Sequence, residues 1–426
     1  MKNIKDTLSK IDKDHLKLLI DIGKVAEEEK QKAYLVGGMV RDLLLGHKNL
    51  DIDIVVENDA KRLAEILANK LPRCKLSAKH DRFHTAKLIC NVNEKKIPFD
   101  LASTRQEIYE YPASLPAVRI SDLKKDLYRR DFTINALAIS LMPYDFGNVV
   151  DLFDGMLDLQ NKKIKVLHEL SFIDDPTRMI RAVRFATKLS FEIEEHTKSL
   201  LNEAISSGQF DNLIEKVRGD RVKIEIRYLF NLVNIKQAID QFFNSGIYRI
   251  VSTELKSSRG KWPLTLENEL PDKSHQWLIL FALIIKDLNP QFQELLMKNL
   301  QMTSDEAKTI KSAFIAYNRI QMLIKDNQKI DSIIMHRELK NLSTESIVIV
   351  QDLLPDSQVL PFVLEFIETT SKIKLEITGE DLIKMGLKEG KEIGRILEKI
   401  LAMKIKNPSM KKSDELQKVQ DFLKVQ

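Results

Sequence analysis

The chain has 426 residues, 43% of them hydrophobic and 30% charged, with 67 basic against 62 acidic side chains and a formal net charge of +5. That length supports two to four compact units, and the balance is that of an ordinary folded protein rather than a disordered or fibrous one. No apolar run reaches the roughly 18 residues of a membrane span, and the charged opening MKNIKDTLSKIDKDH lacks an apolar signal core. Cys74 and Cys90 alone offer neither metal-ligand spacing nor a disulfide framework, so a reducing, cytoplasmic setting away from membranes is expected. The slight positive excess permits a nucleic-acid partner without establishing one.

In chain order, the portion before about residue 170 mixes short β-like runs with helical ones. Strands are expected at 33–36, 51–56, 74–77, 84–92 and 96–104, where β-branched or alternating apolar residues run for a few positions. Between the second and third, Asn58-Asp59 caps AKRLAEILANKL, whose apolar residues recur on one helical face. Residues 104–123, with aromatics, prolines and both signs of charge, read as a loop passing from ordered to flexible. From about residue 171 onward, segments such as RVKIEIRYLFNLV, HQWLILFALIIKDL and EIGRILEKILAMKI repeat apolar residues at three- and four-residue spacing. Breaks are expected at 257–263 and 353–357, and the stretch 403–426 carries six lysines against three acids. The expected architecture is α+β: a head on a small mixed β-sheet, then an elongated all-α body and tail.

The chemistry-bearing pattern lies early. Tyr34-Leu-Val-Gly37-Gly38-Met-Val-Arg41-Asp42 leads into Leu50-Asp51-Ile52-Asp53-Ile-Val-Val56. Strand residues two apart share a side, so Asp51 and Asp53 face one way while Ile52 and Ile54 face the core. Two adjacent carboxylates repel unless a cation neutralises them, and Mg2+, satisfied by carboxylate, water and phosphate oxygens, is the natural candidate. Paired glycines let backbone approach a triphosphate, and N–H groups opening the next helix can hold it. A lone D-x-D or G-G is common at solvated strand edges and turns, but the order strand, G-G, helix, strand, D-x-D is far more specific. Asp100, ending another expected strand, adds the third carboxylate that two-metal phosphoryl transfer generally uses.

GGMVRDLLLG followed by LDID resembles the first signature motif of the class II tRNA nucleotidyltransferase and bacterial poly(A) polymerase family. Later motifs arrive in family order, so the resemblance covers most of the chain. It implies a nucleotidyltransferase head over 1–142, a helical neck with a base-selecting motif over 143–255, and a tRNA-binding helical body and tail over 256–426. The implied activity is template-independent addition of C, C and A to the tRNA 3′ end from CTP and ATP. Narrower relatives, adding A alone or CC alone or tailing with poly(A), are the nearest alternatives. In this frame Asp51 and Asp53 are metal ligands, Asp100 is the third catalytic acid where Glu is frequent, and Gly37, Gly38 and Arg41 surround the triphosphate.

Asp126-Leu-Tyr-Arg129-Arg130-Asp131-Phe-Thr-Ile-Asn135 is similar to the second motif. Helical spacing would put Asp131 and Asn135 on one face. The resemblance implies that these two handle the ribose while Arg130 contacts the nucleotide. Val150-Asp151-Leu-Phe-Asp154-Gly155 resembles the third motif, implied in head movement rather than chemistry. Ile173-Asp174-Asp175-Pro176-Thr-Arg178 resembles the base-selecting motif E-D-x-x-R, with Asp174 in place of the usual Glu. Pro176 suits a first helical turn, and Asp175 and Arg178 then project together. A carboxylate accepts from the exocyclic amine of C or A, and a guanidinium donates to a ring nitrogen or carbonyl. G and U offer a carbonyl where that amine should be, which leaves a buried acceptor mispaired. In isolation D-P-x-R would instead be an N-cap.

Arg181 and Arg184 continue this ridge as expected phosphate contacts. Arg218-Gly-Asp220-Arg221-Val-Lys-Ile-Glu225 resembles the family's E-R-x-x-x-E helix and reads as support for the base-reading helix. The loop 104–123 stands where full CCA-adding members carry the segment implicated in switching from C to A. Residues 378–397, with the lysine-rich end, resemble a segment that could hold the tRNA elbow.

Overall fold

Residues 3–4, 8, 11–47, 51–215, 219–258, 275–354 and 358–424 are described in this computed structural model. They separate into two units, Met1–Lys256 and Ser257–Gln426. In the first, helix α1 (Lys13–Glu28) starts where the Asp12 carboxylate accepts from the Asp14 N–H at 3.0 Å. There follow β1 (Ala33–Val36), α2 (Gly38–Leu44), β2 (Ile52–Val56), α3 (Ala60–Lys70), β3 (Cys74–His80), β4 (Thr85–Val92) and β5 (Lys95–Ser103). The alternation read in the sequence is physical: Ile52 and Ile54 are 2% and 1% exposed, while Asp51 and Asp53 are exposed. Asp59 caps α3 through the Lys61 and Arg62 N–H groups.

Residues read as a loop form instead a hairpin of β6 (Arg105–Ile108) and β7 (Ala117–Ile120). The cross-strand pairing that organises it is not a local pattern in the sequence. Helix α4 (Leu123–Tyr128), β8 (Leu137–Ser140), β9 (Val149–Asp151) and α5 (Gly155–Gln160) follow. The sheet runs β3-β4-β5-β2-β1-β8-β9, with β2 and β5 parallel and the other neighbours antiparallel. Asp131 and Asn135 do not ride an α-helix as their spacing suggested. They flank a single 3-10 turn, Thr133–Asn135, yet remain in contact because the Asn135 amide reaches back to Asp131 at 3.0 Å. Cys74 and Cys90, not expected to form a disulfide, are direct partners on β3 and β4 and are joined by one. Sheet register, rather than their spacing, makes them neighbours.

The rest of this unit is mostly helical: β10 (Lys163–Ile164), α6 (Ser171–Asp174), α7 (Thr177–Leu189), β11 (Glu192–Ile193), α8 (Glu195–Ser206), α9 (Gly219–Phe230), α10 (Ile235–Asn244) and α11 (Tyr248–Val251). Helix α7 packs on α9 and α10, and Phe230 meets Phe242 edge-on at 5.2 Å. Such offset aromatic contacts add to the burial that holds helices together.

The second unit is all α among its described residues: α12 (Gln276–Ile285), α13 (Pro290–Asn299), α14 (Ser304–Lys325), α15 (Ser332–Leu339), α16 (Thr344–Leu353), α17 (Leu360–Glu368), α18 (Gly379–Lys384), α19 (Lys391–Lys406) and α20 (Lys412–Lys424). Every residue of α12 is buried, as expected for a helix apolar on all sides. The expected breaks at 257–263 and 353–357 fall partly outside the described residues. Near the end, Ile377, Leu382, Ile396, Ile400 and Val419 form a small core. Lys404 is buried there against Glu415, which also accepts from the Glu376 and Ile377 N–H groups. That lysine of the basic end is therefore a structural one. No helix among the described residues is long and apolar enough to cross a membrane.

Asp352 on α16 is 4% exposed, and burial pushes its carboxyl up to about 7 from the usual 3.8. Across that window the folded state keeps a proton that the unfolded chain has released. Stability from this group is therefore full below 3.8 and falls as pH rises to about 7. Asp352→Asn is expected to raise the melting temperature at pH 8 by about 2–4 °C, with the gain shrinking at pH 5. Calorimetric scans at the two pH values check this, and an equal shift at both would remove burial of the charge as the cause.

Candidate active site

The site begins with strand register. Val36 stands opposite Asp53 across β1 and β2, and Asp53 lies beside Asp100 across the parallel pair β2 and β5. Gly37, the next residue after β1, has a φ of 78°, which glycine adopts without strain. A Cβ there would lie 3.3 Å from Asp53 Oδ2 and 3.7 Å from Arg130 Nη1. The bare turn keeps the space above Asp53 open. Desolvation by the cleft walls raises the Asp53 carboxyl above its ordinary range; Arg130 pulls it back, and Asp100 and Asp51 raise it further. The residue itself reaches solvent, so the effect comes from its surroundings rather than from burial in the core.

Such a carboxylate edge fits a hard divalent cation. Among the described residues no three acidic, histidine or cysteine side chains converge closely enough to hold an ion by themselves. Asp51, Asp53 and Asp100 are the carboxylates at this edge that could hold such an ion, with phosphate and water oxygens completing its shell.

Beside this edge opens a cleft of about 600 Å3, lined by seven arginines and one lysine against five carboxylates. The surplus of cations suits a polyanion. Gly37, Gly38, Arg41, Asp53, Arg130, Asp131, Asn135, Asp175, Arg178, Arg181 and Arg184 all line it. Asp51 and Asp100 lie next to it, within electrostatic reach of Asp53.

The arginines form a lattice. Arg41, 3% exposed, donates from Nε to Asp42 and from Nη1 to Asn135, both at 2.8 Å. Asn135 holds Asp131, and Asp131 accepts from Arg181 Nε at 2.9 Å. Arg181 Nη1 and Arg184 Nε then share Glu225 of α9, each at 2.9 Å. Burial alone would raise the Asp131 carboxyl, but Arg181 and Asn135 hold it down to about 2. Asp126, fully buried, gathers Arg129 at 2.8 Å and Arg130 at 3.0 Å, and its pKa stays below the ordinary range despite desolvation because of those two guanidiniums.

The segment 174–178 is pinned at both ends. Arg178 donates to Ser171 Oγ at 2.9 Å and to the Arg129 carbonyl at 2.6 Å. Asp175 Oδ1 accepts from the Thr177 N–H and hydroxyl, capping the start of α7 as an isolated D-P-x-R would. Its Oδ2 accepts from Arg221 of α9 at 2.6 Å. Helix α9 thus braces the segment through Arg221 and Glu225, whereas Arg218 lies outside the described residues. Asp174, last residue of α6, is raised by desolvation, with Arg178 and Asp175 acting in opposite directions. In the third motif Asp151 accepts from the Gly155 and Met156 N–H groups at 2.9 Å, and Asp158 takes the Thr133 hydroxyl at 2.6 Å. Those acids hold α5 against the Thr133 turn and stay out of the cleft.

Several cleft residues were not singled out from the sequence. Glu107 accepts from Arg129 at 3.1 Å and from the Tyr109 hydroxyl at 3.0 Å. Desolvation and Glu107 raise the Tyr109 phenol, with Arg178 opposing. Both residues belong to the stretch read as a loop, whose tip reaches α6 through the Ala113 N–H and the Ile173 carbonyl at 3.2 Å. Lys188 also lines the cleft. Helical spacing from Arg181 and Arg184 was the available signal for it. A cavity of about 630 Å3 in the second unit, between α15 and α19, has Arg337, Lys340, Arg395 and Lys399 but no paired strand carboxylates.

Sheet, glycine turn and acidic edge together define a nucleotidyltransferase head. Residues 33–165 match the family model for the poly(A) polymerase head domain. The A-adding tRNA nucleotidyltransferase of Geobacter sulfurreducens is 32% identical over 413 residues, covering 94% of this chain and 46% of the relative. The chain thus spans about half the length of that protein. A solved CCA-adding enzyme in an apo form is 32% identical, with a TM-score of 0.79 and 99% of each chain covered. The Thermotoga maritima CCA-adding enzyme complexed with tRNA is 30% identical, with a TM-score of 0.75 and the same 99% coverage. The chain belongs to the class II family of CCA-adding tRNA nucleotidyltransferases and bacterial poly(A) polymerases.

Glu225→Ala leaves Arg181 and Arg184 without their shared acceptor and is expected to cost about 3 kcal/mol of stability, the usual effect of breaking a buried pair. Urea unfolding checks it; a loss below about 1 kcal/mol would reduce the contact to an ordinary surface pair. Because the Asp131 pKa is depressed, its contribution is complete above 3.8 and disappears as pH falls through about 2. Asp131→Asn is expected to flatten that acid limb of the stability curve.

Proposed function

We propose that this chain adds C, C and A to the 3′ end of tRNA from CTP and ATP, without a nucleic-acid template, releasing pyrophosphate at each step. The observation that carries the reading is the Asp53–Asp100 row beside the bare Gly37 turn, opening on a cleft that also holds Asp175 and Arg178. The two similar solved proteins, both CCA-adding enzymes, support the same reading.

In this proposal Asp51 and Asp53, with Asp100, hold Mg2+, which when bound activates the attacking 3′-hydroxyl and neutralises charge on the departing pyrophosphate. Gly37 and Gly38 let the phosphates approach backbone. Arg130, near Asp53 and anchored through Asp126, faces the incoming nucleotide. Asp131 and Asn135, fixed by Arg181 and Arg41, present polar atoms to the ribose. Arg181 and Arg184 give the cleft positive potential on the phosphate side.

Asp175 and Arg178 read the base edge, the carboxylate accepting from the amine of C or A and the guanidinium donating. Both Asp175 oxygens already have partners, so reading a base requires the Arg221 bond to open or be shared. G or U would place a carbonyl against that carboxylate and leave it unsatisfied, a penalty of roughly 1–3 kcal/mol.

Addition of A alone is the second reading, favoured by the 32% identity to an A-adding relative. Labelled CTP and ATP supplied with tRNAs lacking CCA, CA or A separate the two. Extension of all three substrates in the order C, C, A is expected; extension of only the last, with ATP alone, would overturn full CCA addition. Asp51→Ala and Asp53→Ala are each expected to cut incorporation by ~10³-fold or more without lowering the melting temperature, consistent with metal-held phosphoryl transfer. Near-full activity in folded Asp51→Ala would sink the assignment. Arg178→Ala is expected to lose selectivity against GTP and UTP as well as rate.

A further inference from the structure

Eight cations line the cleft, and seven are already held. Asp42 and Asn135 hold Arg41, Asp126 holds Arg129 and Arg130, and Ser171 with the Arg129 carbonyl holds Arg178. Glu225 takes Arg181 and Arg184, and Asp175 takes Arg221. The eighth, Lys188, makes no hydrogen bond or ion pair among the described residues. It sits on the last turn of α7, four residues beyond Arg184, so it extends the arginine ridge toward the acidic edge. Its ammonium is within electrostatic reach of Arg41, Asp42, Arg184 and Asp51, and it lines the same cleft as Gly37, Gly38 and Asp53.

Lys188 is an exposed residue on a flexible stem, and its ammonium, partly desolvated by the cleft beside two guanidiniums, suits an anion that the carboxylates nearby do not supply. Arg41 is immobilised under Phe185, with its ring centroid 5.0 Å away, and is committed to protein acceptors. Among the described residues, Lys188 is therefore the cleft cation at this end that no protein acceptor holds.

We propose that Lys188 binds the β- and γ-phosphates of the incoming nucleoside triphosphate and stays on the pyrophosphate as it leaves. The assignment rests on the proposed nucleotidyl transfer. In that step the primer 3′-oxygen forms a bond to the α-phosphorus and its proton passes to solvent. The bond from the α-phosphorus to the bridging oxygen breaks, and its electron pair departs on pyrophosphate, where the ammonium meets the added charge.

The test uses the whole chain and the variants Lys188→Met and Lys188→Arg. Calorimetric titration with magnesium pyrophosphate, ATP and AMP, and gel-shift titration with tRNA, read binding apart from turnover. Lys188→Met is expected to weaken pyrophosphate and ATP binding by ~10-fold, the effect of one charge-assisted contact, with AMP and tRNA affinity unchanged. Its KM for nucleotide and its inhibition constant for pyrophosphate should rise together, and Lys188→Arg should restore most of the loss. Unchanged pyrophosphate affinity in Lys188→Met would overturn the assignment. So would a loss confined to tRNA, which would make Lys188 a contact for the RNA backbone. If the wild type binds pyrophosphate but never extends tRNA, the proposed function fails while the Lys188 contact stands.

Discussion

Register between three strands is the constraint on which the cleft depends. Val36, Asp53 and Asp100 lie in a row because β1 runs antiparallel to β2 while β5 runs parallel to it. A slip of one residue would turn Asp53 toward the core and Ile52 or Ile54 toward solvent. Burying those isoleucines therefore also holds the carboxylates out. Like charges in a row are unfavourable taken alone, and only the apolar face beneath keeps them there. Gly37 completes the arrangement, since any side chain at that turn would press on the Asp53 carboxylate.

The second requirement is compensation of charge away from water. Asp126, Asp131 and Glu225 are each buried, and each is matched by guanidiniums rather than left to lose its charge. Arginine suits this task because its planar fork serves several acceptors at once. Arg181 bridges Asp131 and Glu225, while Arg41 bridges Asp42 and Asn135. The lattice ties α2, the Thr133 turn, α7 and α9 into one scaffold, so the groups facing the cleft are positioned before any ligand arrives. Preorganised dipoles and charges of this kind are worth more than mobile ones, because little reorganisation remains to be done.

The segment 174–178 shows how one residue serves two ends. Asp175 caps α7 through one oxygen and binds Arg221 through the other. The capping contact considered from the motif is therefore present, and the second oxygen of the same side chain is held by Arg221. The β6–β7 hairpin adds a contact to this region, through Ala113 with Ile173 and through Glu107 with Arg129. Arg129 in turn supplies the carbonyl that fixes Arg178. A short run of hydrogen bonds thereby connects the hairpin to α7.

Local patterns in the sequence were enough for the elements whose signal is local. The first five sheet strands, the Asp59-capped helix, the outward aspartates of β2 and the helical character beyond residue 171 all follow from period, capping and alternation. The G-G and D-x-D spacing likewise marked the residues that line or flank the cleft. What depends on pairing between distant segments was not legible. The β6–β7 hairpin, the Cys74–Cys90 bond and the parallel β2–β5 register each join residues through a sheet. The 3-10 turn at Thr133–Asn135 replaced the expected helix. Nor could spacing say that Arg41 would be buried and committed to Asp42 and Asn135, while Lys188 stayed without a hydrogen bond or ion pair among the described residues. Sequence determined which side chains carry charge and which face of each element is apolar, because those are properties of single segments. Tertiary structure alone decided which charges neutralise one another, because that depends on distances set only when the segments pack.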